Sequence, residues 1–235
     1  DTIYIGAGTH THTSSSKWNI SFDGSKNIVI KGASASGTIL DAEQKHRHFY
    51  FKASSSKSLL DTTFKIMDLT LKNGRPQTND NGGSIKMYGY HHGTLERYQG
   101  HSPLFQNVVF QSNQTKFTTN DYHKYGGAVY AHKSNPYFRN VEFKYNTAPR
   151  HGGAIYCSSS DTNKTITFER TTFTSNHVDP GSDIQTGEYG GAVHLGNCGK
   201  VVFKNCVFDS NSVKINSNSS NRGGAIYSTN HYDSL

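Results

Sequence analysis

The chain has 235 residues and is basic, with 24 Lys and Arg against 17 Asp and Glu and a formal net charge of +7. Its hydrophobic fraction of 33% lies below the roughly 45–50% of typical domains. Because 14 Tyr and 13 Phe argue against disorder, the composition predicts a folded chain with a thin, elongated core and much polar surface.

The basic residues are scattered singly along the chain, which is typical of a solvated surface. No basic helix, RNA-binding string or zinc-finger spacing occurs, so we do not expect nucleic acid as a partner. No segment reaches 18 apolar residues, and we therefore expect no transmembrane segment.

In chain order, residues 1–75 contain four segments that predict strands: "DTIYIGAGTHT", "KNIVIKGAS", "GTILDAE" and "HFYFKAS". Each segment is rich in β-branched or aromatic residues and is bounded by turn-forming residues, as short strands are. We interpret them as the first rungs of a coil.

From residue 76 onward a glycine pair recurs, followed each time by a small residue and then by a branched aliphatic residue. The pairs are Gly82-Gly83, Gly126-Gly127, Gly152-Gly153, Gly190-Gly191 and Gly223-Gly224. Such short segments, rich in Val, Ile and Tyr between turn residues, predict strands.

A second repeated element alternates with the glycine pairs and contains two Phe positions and an Asn. Its columns are Phe105, Phe138, Phe168 and Phe203; Phe110, Phe143, Phe173 and Phe208; and Asn113, Asn146, Asn176 and Asn211. A fainter copy upstream holds Leu71 and Asn73. Two mostly polar residues follow the first Phe column and break strict alternation, which predicts a corner or bulge.

The first Phe column recurs after 33, 30 and 35 residues, because only the segments between the elements change in length. Fixed short elements with variable insertions are typical of a solenoid whose loops leave from one edge. Short strands repeated in one direction predict parallel stacking, so the fold class is an all-β parallel solenoid over residues 1–235.

The strings "GGAI", "GGAV" and "FxxN" between Gly82 and Tyr227 resemble the paired repeat motifs of the chlamydial polymorphic outer membrane proteins. The opening "DTIYIGAGTHT" with "NIVIKGAS" and "TILDA" resembles the first rungs of pectin-lyase-like β-helices. The two resemblances imply a right-handed parallel β-helix, with residues 1–75 as pectin-lyase-like rungs and 76–235 as repeats. They also imply secretion and a surface, adhesive or passenger-like role without catalysis.

The chain stops at "GGAIYSTN", within a repeat, although solenoids need capped ends. We therefore expect a fragment of a longer chain, or a unit covered by its neighbours. Stacking of copies head to tail would then form a filament.

The Phe and Asn columns predict structural ladders along the coil. Stacked Phe would form an apolar column inside, and stacked Asn would share amide hydrogen bonds at a turn. Asn also tolerates the left-handed conformation that such turns use.

A further column follows the branched aliphatic residue of each glycine-pair strand: Lys86, Tyr130, Tyr156, His194 and Tyr227. If the aliphatic residue points inward, this column points outward, and an exposed row of aromatic rings could stack on sugars. Ordinary packing between rungs is the alternative. The sequence thus predicts an anionic or neutral glycan as a partner at Tyr130, Tyr156, His194 and Tyr227.

Metal ligands are sparse, and we expect neither a metal nor another cofactor. The pairs His10/His12 and His46/His48 would share a strand face, and His91/His92 are adjacent, but no carboxylate or Cys completes a set. Asp179, Asp183 and Glu188 could hold calcium in one loop, with a solvated turn as the alternative.

Four glycosylation sequons occur, at Asn19, Asn113, Asn163 and Asn218. Asn163 and Asn218 lie in insertions and are the expected glycan sites in a eukaryotic source, with Asn19 after them. Asn113 belongs to the Asn column, where we expect burial. The cysteines Cys157, Cys198 and Cys206 allow one disulfide that the sequence does not assign.

The predicted function is that of a non-catalytic extracellular structural or adhesive protein, which binds glycans or forms filaments. The alternative is a polysaccharide-degrading enzyme, since parallel β-helices often carry such activities. Hydrolysis needs two carboxylates across the glycosidic bond, and the strings typical of polygalacturonases, pectate lyases and pectin methylesterases are absent.

Overall fold

The computed structural model describes residues 1–11, 20–22, 27–53, 59–77, 80–91, 98–115, 124–158, 163–181, 187–214 and 221–229. Asn19, Asn218, His12, His92 and Asp183 lie outside these described residues. Within them the secondary structure consists of strands, with no helix.

The strands, in chain order, are short and evenly distributed. They are β1 (Thr2–Ile5), β2 (Gly8–Thr11), β3 (Ile20–Phe22), β4 (Val29–Gly32), β5 (Thr38–Asp41), β6 (Phe49–Lys52), β7 (Lys65–Lys72), β8 (Ile85–Tyr88), β9 (Tyr90–His91), β10 (Tyr98–Gln99), β11 (Leu104–Gln111), β12 (Val129–His132), β13 (Tyr137–Arg139), β14 (Glu142–Lys144), β15 (Thr147–Ala148), β16 (Ile155–Ser158), β17 (Thr165–Glu169), β18 (Thr172–Thr174), β19 (His177–Val178), β20 (Val193–Gly196), β21 (Lys200–Lys204), β22 (Val207–Asp209), β23 (Ser212–Val213) and β24 (Ile226–Thr229).

Three parallel sheets run along the molecule. The first follows the order β1-β4-β7-β11-β13-β17-β21, with β2-β5 and β14-β18-β22 beside it. The second is β3-β6-β8-β12-β16-β20-β24, and the third is β15-β19-β23. Since strands pair with their counterparts one repeat away, this arrangement confirms the parallel solenoid. Its right-handedness stays a prediction.

One hairpin departs from this pattern, because β9 and β10 pair antiparallel. The coil itself continues across residue 75, since β7 pairs with β11 over seven residues. The β7 strand thus brings the N-terminal segments and the glycine-pair repeats into one sheet.

Two columns of stacked Phe rings fill the interior. Phe110, Phe143, Phe173 and Phe208 stack with centroids 4.6–5.1 Å apart and planes within 5° of parallel. Phe105, Phe138, Phe168 and Phe203 form the second stack, 4.7–5.2 Å apart. The columns meet edge to face, a favourable arrangement for aromatic pairs. This thin aromatic core fits the low hydrophobic content of the chain.

The corner after the first Phe column uses left-handed backbone, with φ between 49° and 54° at Asn107, Asn140, Arg170 and Asn205. The side chains of Asn107, Asn140 and Arg170 form a polar ladder on the outside. Asn107 donates to Asp68 at 2.8 Å, Asn140 donates to Asn107 at 3.1 Å, and Arg170 donates to Asn140 at 2.6 Å. The amide dipoles therefore run from a carboxylate at one end to a guanidinium at the other.

The Asn column forms a second, buried ladder. Asn113 donates through Nδ2 to Oδ1 of Asn146, and Asn146 to Asn176 and Asn176 to Asn211 in the same way, at 2.9–3.0 Å. Each Oδ1 also accepts the backbone N–H of the preceding Asn in the column.

The left-handed residue at this second turn is not the Asn itself, as the sequence had suggested. It is the preceding residue, with φ of 53°, 57°, 51° and 55° at Ser112, Tyr145, Ser175 and Ser210. Upstream, Asn73 occupies this left-handed position (φ 55°), and Gly74 follows it opposite Asn113. In the faint copy, the Asn therefore occupies the left-handed position of the turn, and a glycine takes the place of the ladder Asn.

The two positions of each pair require glycine for different reasons. Gly126 has a φ of +67°, which disfavours a side chain. A Cβ added at Gly127 would lie 2.1 Å from the carbonyl oxygen of Gly153 in the next rung. The first glycine therefore serves the turn, and the second permits the close approach of successive rungs.

Candidate functional site

The outer face of the second sheet carries the column that the sequence singled out. Parallel register aligns Tyr50, Lys86, Tyr130, Tyr156, His194 and Tyr227 across β6, β8, β12, β16, β20 and β24. The preceding aliphatic residues Ile85, Val129, Ile155 and Val193 are fully buried. Because strand side chains alternate, the column points away from the core.

A second aromatic column lies beside the first and was missed in the sequence. Tyr125, His151 and Tyr189 each stand directly before a glycine pair and are aligned by isolated parallel bridges. The signal was present in the strings "YGG", "HGG" and "YGG". We call the combined set the aromatic face: Tyr125, Tyr130, His151, Tyr156, Tyr189, His194 and Tyr227.

The rings of the aromatic face stack on one another. Tyr156 has the ring of Tyr130 at 5.5 Å on one side and that of His194 at 4.8 Å on the other. Tyr125 stacks on Tyr156 at 4.6 Å, and Tyr189 stacks on Tyr227 at 4.4 Å. These pairs keep their planes within 27°, so the ring faces are largely occupied by neighbouring rings.

The predicted exposure of this column is wrong for two of its members. Tyr130 is only 8% exposed and His194 only 5%, while Tyr156 and Tyr227 are half-buried. His194 is covered by the ring of His151 in the flanking column, whereas Tyr130 stacks on Tyr156 and His132. A sugar would need a free ring face to stack, and rings inside the column offer edges rather than faces.

Burial and mutual proximity keep the histidines of the aromatic face neutral. Burial, together with the neighbouring His194 and Arg150, lowers the pKa of His151 to about 3. Burial lowers the pKa of His194 to about 4. Their ring centroids are 4.7 Å apart, so a proton on one imidazole disfavours a proton on the other.

The lowered pKa values predict loss of stability in acid. A histidine with a folded pKa near 4 and an unfolded pKa near 6.5 stabilises fully above pH 6.5, and the stabilisation falls as the pH drops toward 4. For His194 we expect a loss of about 2 kcal/mol between pH 7 and pH 5. His194→Tyr, which repeats the residue of the adjacent rungs, should keep the stack and remove this share of the loss, as measured by urea unfolding at both pH values. An unchanged pH dependence of the variant would contradict the assignment.

An ion cluster borders the aromatic face where Lys86 replaces an aromatic residue. Buried Arg47 donates to Asp80 at 3.0 Å, and Lys86 donates to Asp80 at 2.7 Å. Burial raises the pKa of the Asp80 carboxyl, but the two cations outweigh this effect and the pKa is lowered. Both cations also lie over the Tyr50 ring, at 5.9 and 5.3 Å from its centroid.

The histidine pairs do not form strand-face sites in the described residues. His46 and His48 lie in the turn before β6 rather than on a strand. Both ring nitrogens of His48 have partners at 2.9 Å, the Ser84 hydroxyl and the Leu40 carbonyl. His10 lies on β2, with its Nε2 3.0 Å from the Gly6 carbonyl. His91 lies on β9.

The two described carboxylates of the predicted calcium loop, Asp179 and Glu188, differ in exposure. Asp179 is exposed, accepts from the Gly181 amide at 2.9 Å and pairs with Lys214 at 3.2 Å. Glu188 is fully buried. Among the described residues no group of three metal-ligating side chains comes together.

The cysteines are reduced in this structure, and none forms a disulfide. Cys157 and Cys198 are buried. Cys206 stands three residues after the first Phe column, at the position that buried Val108 and Val141 occupy in other rungs. Of the sequons, Asn163 is exposed in the turn before β17, and Asn113 is fully buried in its ladder. Glycosylation at Asn163 stays a prediction.

Comparison with known proteins agrees with the repeat pattern. No curated protein and no solved structure matches the chain significantly. Among the described residues we find no helical segment with the length and hydrophobicity that a bilayer crossing requires. A family model for the Chlamydia polymorphic membrane protein repeat matches residues 140–158 and 205–229, each of which contains a second-turn Asn and a glycine pair. The chain therefore carries this Chlamydia polymorphic membrane protein repeat at two places, which confirms the resemblance seen in its sequence.

Proposed function

We propose that the chain is a non-catalytic structural or adhesive part of an extracellular surface protein. The repeat match carries this proposal, because that repeat is named for membrane proteins. The geometry supports it, since the recurring Phe, Asn and Gly columns serve packing, hydrogen bonding and close approach of rungs. A rod of this kind holds surface loops at regular intervals along its length.

The carboxylates support a non-catalytic role. Four carboxyl groups among the described residues, Asp41, Asp61, Asp80 and Glu169, have a lowered pKa. Glu169, for example, accepts from the Tyr137 hydroxyl and contacts Arg139 and Arg170. A glycosidase acid needs a raised pKa to donate its proton near neutrality. The lowered pKa of these four groups keeps them ionised at neutral pH, so they do not suit that role.

The surface role is tested by labelling intact cells of the source with an antibody against the chain. We expect labelling without permeabilisation, and labelling only after permeabilisation would contradict the proposal. Release of reducing ends or unsaturated products from acidic polysaccharides would instead favour the enzyme.

Glycan binding at the aromatic face and self-association are finer parts of the proposal. Tyr227 on β24 is half-buried, while Ile226 on the same strand and Val207 on β22 are 36% and 56% exposed. Sedimentation of the full-length protein tests self-association, and a monomer at all concentrations would contradict it. A glycan array with Tyr227→Ala as the paired variant tests binding at this end of the face.

A further inference from the structure

A groove of about 330 Å³ lies beside the third sheet, and none of its lining residues belongs to the aromatic face. Its position follows from loop lengths. In each rung a connection leads from the third sheet, or from the equivalent residues 114–115, to the residue before the next glycine pair. Three of these connections are residues 116–124, 149–150 and 179–188, with lengths of nine, two and ten residues. The groove is lined by Pro149 in the short connection, by Gln114 and Thr115 just before the first long one, and by Asp179 and Gly181 at the start of the other. The groove thus lies at the shortest of these three connections.

The groove holds a cation with free donors. The backbone N–H of Arg75 is fixed by a 2.8 Å hydrogen bond to the His46 carbonyl. Its guanidinium makes no hydrogen bond or ion pair with any described side chain. A guanidinium presents five N–H donors in a planar fork that matches a carboxylate, so Arg75 can receive an anion that the described residues do not supply.

The other lining groups are neutral or already neutralised. The Nε2 of Gln114 donates to Oε1 of Gln44 at 2.7 Å, which fixes the orientation of the Gln114 amide. The Oε1 of Gln114 can accept a further hydrogen bond. Thr147 adds a hydroxyl, and buried Pro149 an apolar surface. Asp179 is paired with Lys214 at 3.2 Å. Besides the arginine, then, the groove offers several hydrogen-bonding groups and one apolar residue.

We infer that this groove binds a carboxylate-bearing sugar. The carboxylate pairs with Arg75, and the hydroxyl groups of the ring exchange hydrogen bonds with Gln114, Thr147 and Asp179. The volume lies at the lower end of the roughly 300–1,000 Å³ of small-molecule sites, which suits one acidic sugar residue at a chain end. This site is separate from the aromatic face and does not depend on the surface role proposed above.

The test is an NMR titration of the 235-residue chain with glucuronic acid, and with glucose as the uncharged counterpart. We expect saturable shifts of the Arg75, Gln114 and Thr147 amides with the acid and none with glucose. Inorganic phosphate separates a sugar site from a general anion site. Equal responses to phosphate and glucuronic acid, or to glucose and glucuronic acid, would overturn the proposal, as would no response to any of them.

Variants locate the binding. Arg75→Gln should weaken glucuronic acid binding at least tenfold, because it removes the charge and the fork, and Arg75→Lys should fall between the two. Arg222→Gln makes the same charge change at an exposed residue on another face and should leave binding unchanged. Equal weakening by both Gln variants would show a general charge effect and would sink the assignment, and full binding by Arg75→Gln would do the same.

Discussion

Gly127→Ala should prevent the chain from folding. A Cβ at this position would lie 2.1 Å from the Gly153 carbonyl oxygen and 2.6 Å from both the backbone nitrogen and oxygen of Thr147. All three are backbone atoms, two of them in the paired strand β15, and they cannot turn aside as a flexible side chain would. Relief requires separation of neighbouring rungs, and we expect a loss on the order of 5 kcal/mol or more, which approaches the whole stability of a typical domain.

Circular dichroism and urea unfolding of soluble protein measure this effect, with Gly196→Ala as the matched control. A Cβ at Gly196 would meet the His194 ring nitrogen at 3.4 Å and the Tyr156 hydroxyl at 3.6 Å, which are ordinary contacts. The control lies on β20, in the sheet that follows the glycine pairs, and should change stability by about 1 kcal/mol or less, which is the usual difference between Gly and Ala in a strand. If Gly127→Ala folded with near-native stability, the close approach of rungs would not explain the second glycine.

Asn146→Ala should destabilise the chain by about 3–6 kcal/mol, because it leaves buried polar groups without partners. The Asn146 Oδ1 accepts from the backbone N–H and from the side-chain Nδ2 of Asn113, each at 3.0 Å. The Asn146 Nδ2 donates to the Phe110 carbonyl at 3.0 Å and to Oδ1 of Asn176 at 2.9 Å. The residue is fully buried, so water cannot replace these bonds without opening the turn.

The matched control is Asn140→Gly in the outer ladder. Asn140 is exposed and also bonds to a side chain in each neighbouring rung, but water can take over those bonds. Glycine also keeps its left-handed φ of 50°. We expect a change in the urea midpoint that corresponds to about 1 kcal/mol or less. Equal effects of the two variants would show that burial does not set the strength of the ladders.

The repeated columns could be predicted because a solenoid places equivalent residues in register. Phe110, Asn113 and the glycine pair recur with fixed local spacing, and stacking a unit on its copy brings identical positions together whatever the loops do. The fold class, the Phe stacks and the shared Asn amides therefore follow from the sequence alone.

Only the tertiary structure decided which surface positions are covered. His194 faces outward by strand alternation, as the sequence indicated, yet it is buried against His151 and Tyr189 from the neighbouring turn. Tyr130 also faces outward and is buried, with Tyr156 stacked on its ring. The turn sets the distance between the two columns, and local alternation contains no information about it. The groove at Arg75 is likewise made by residues from four rungs, brought together where a connection is short. Periodicity thus determines what stacks along the axis, while packing around each rung determines what remains accessible to a ligand.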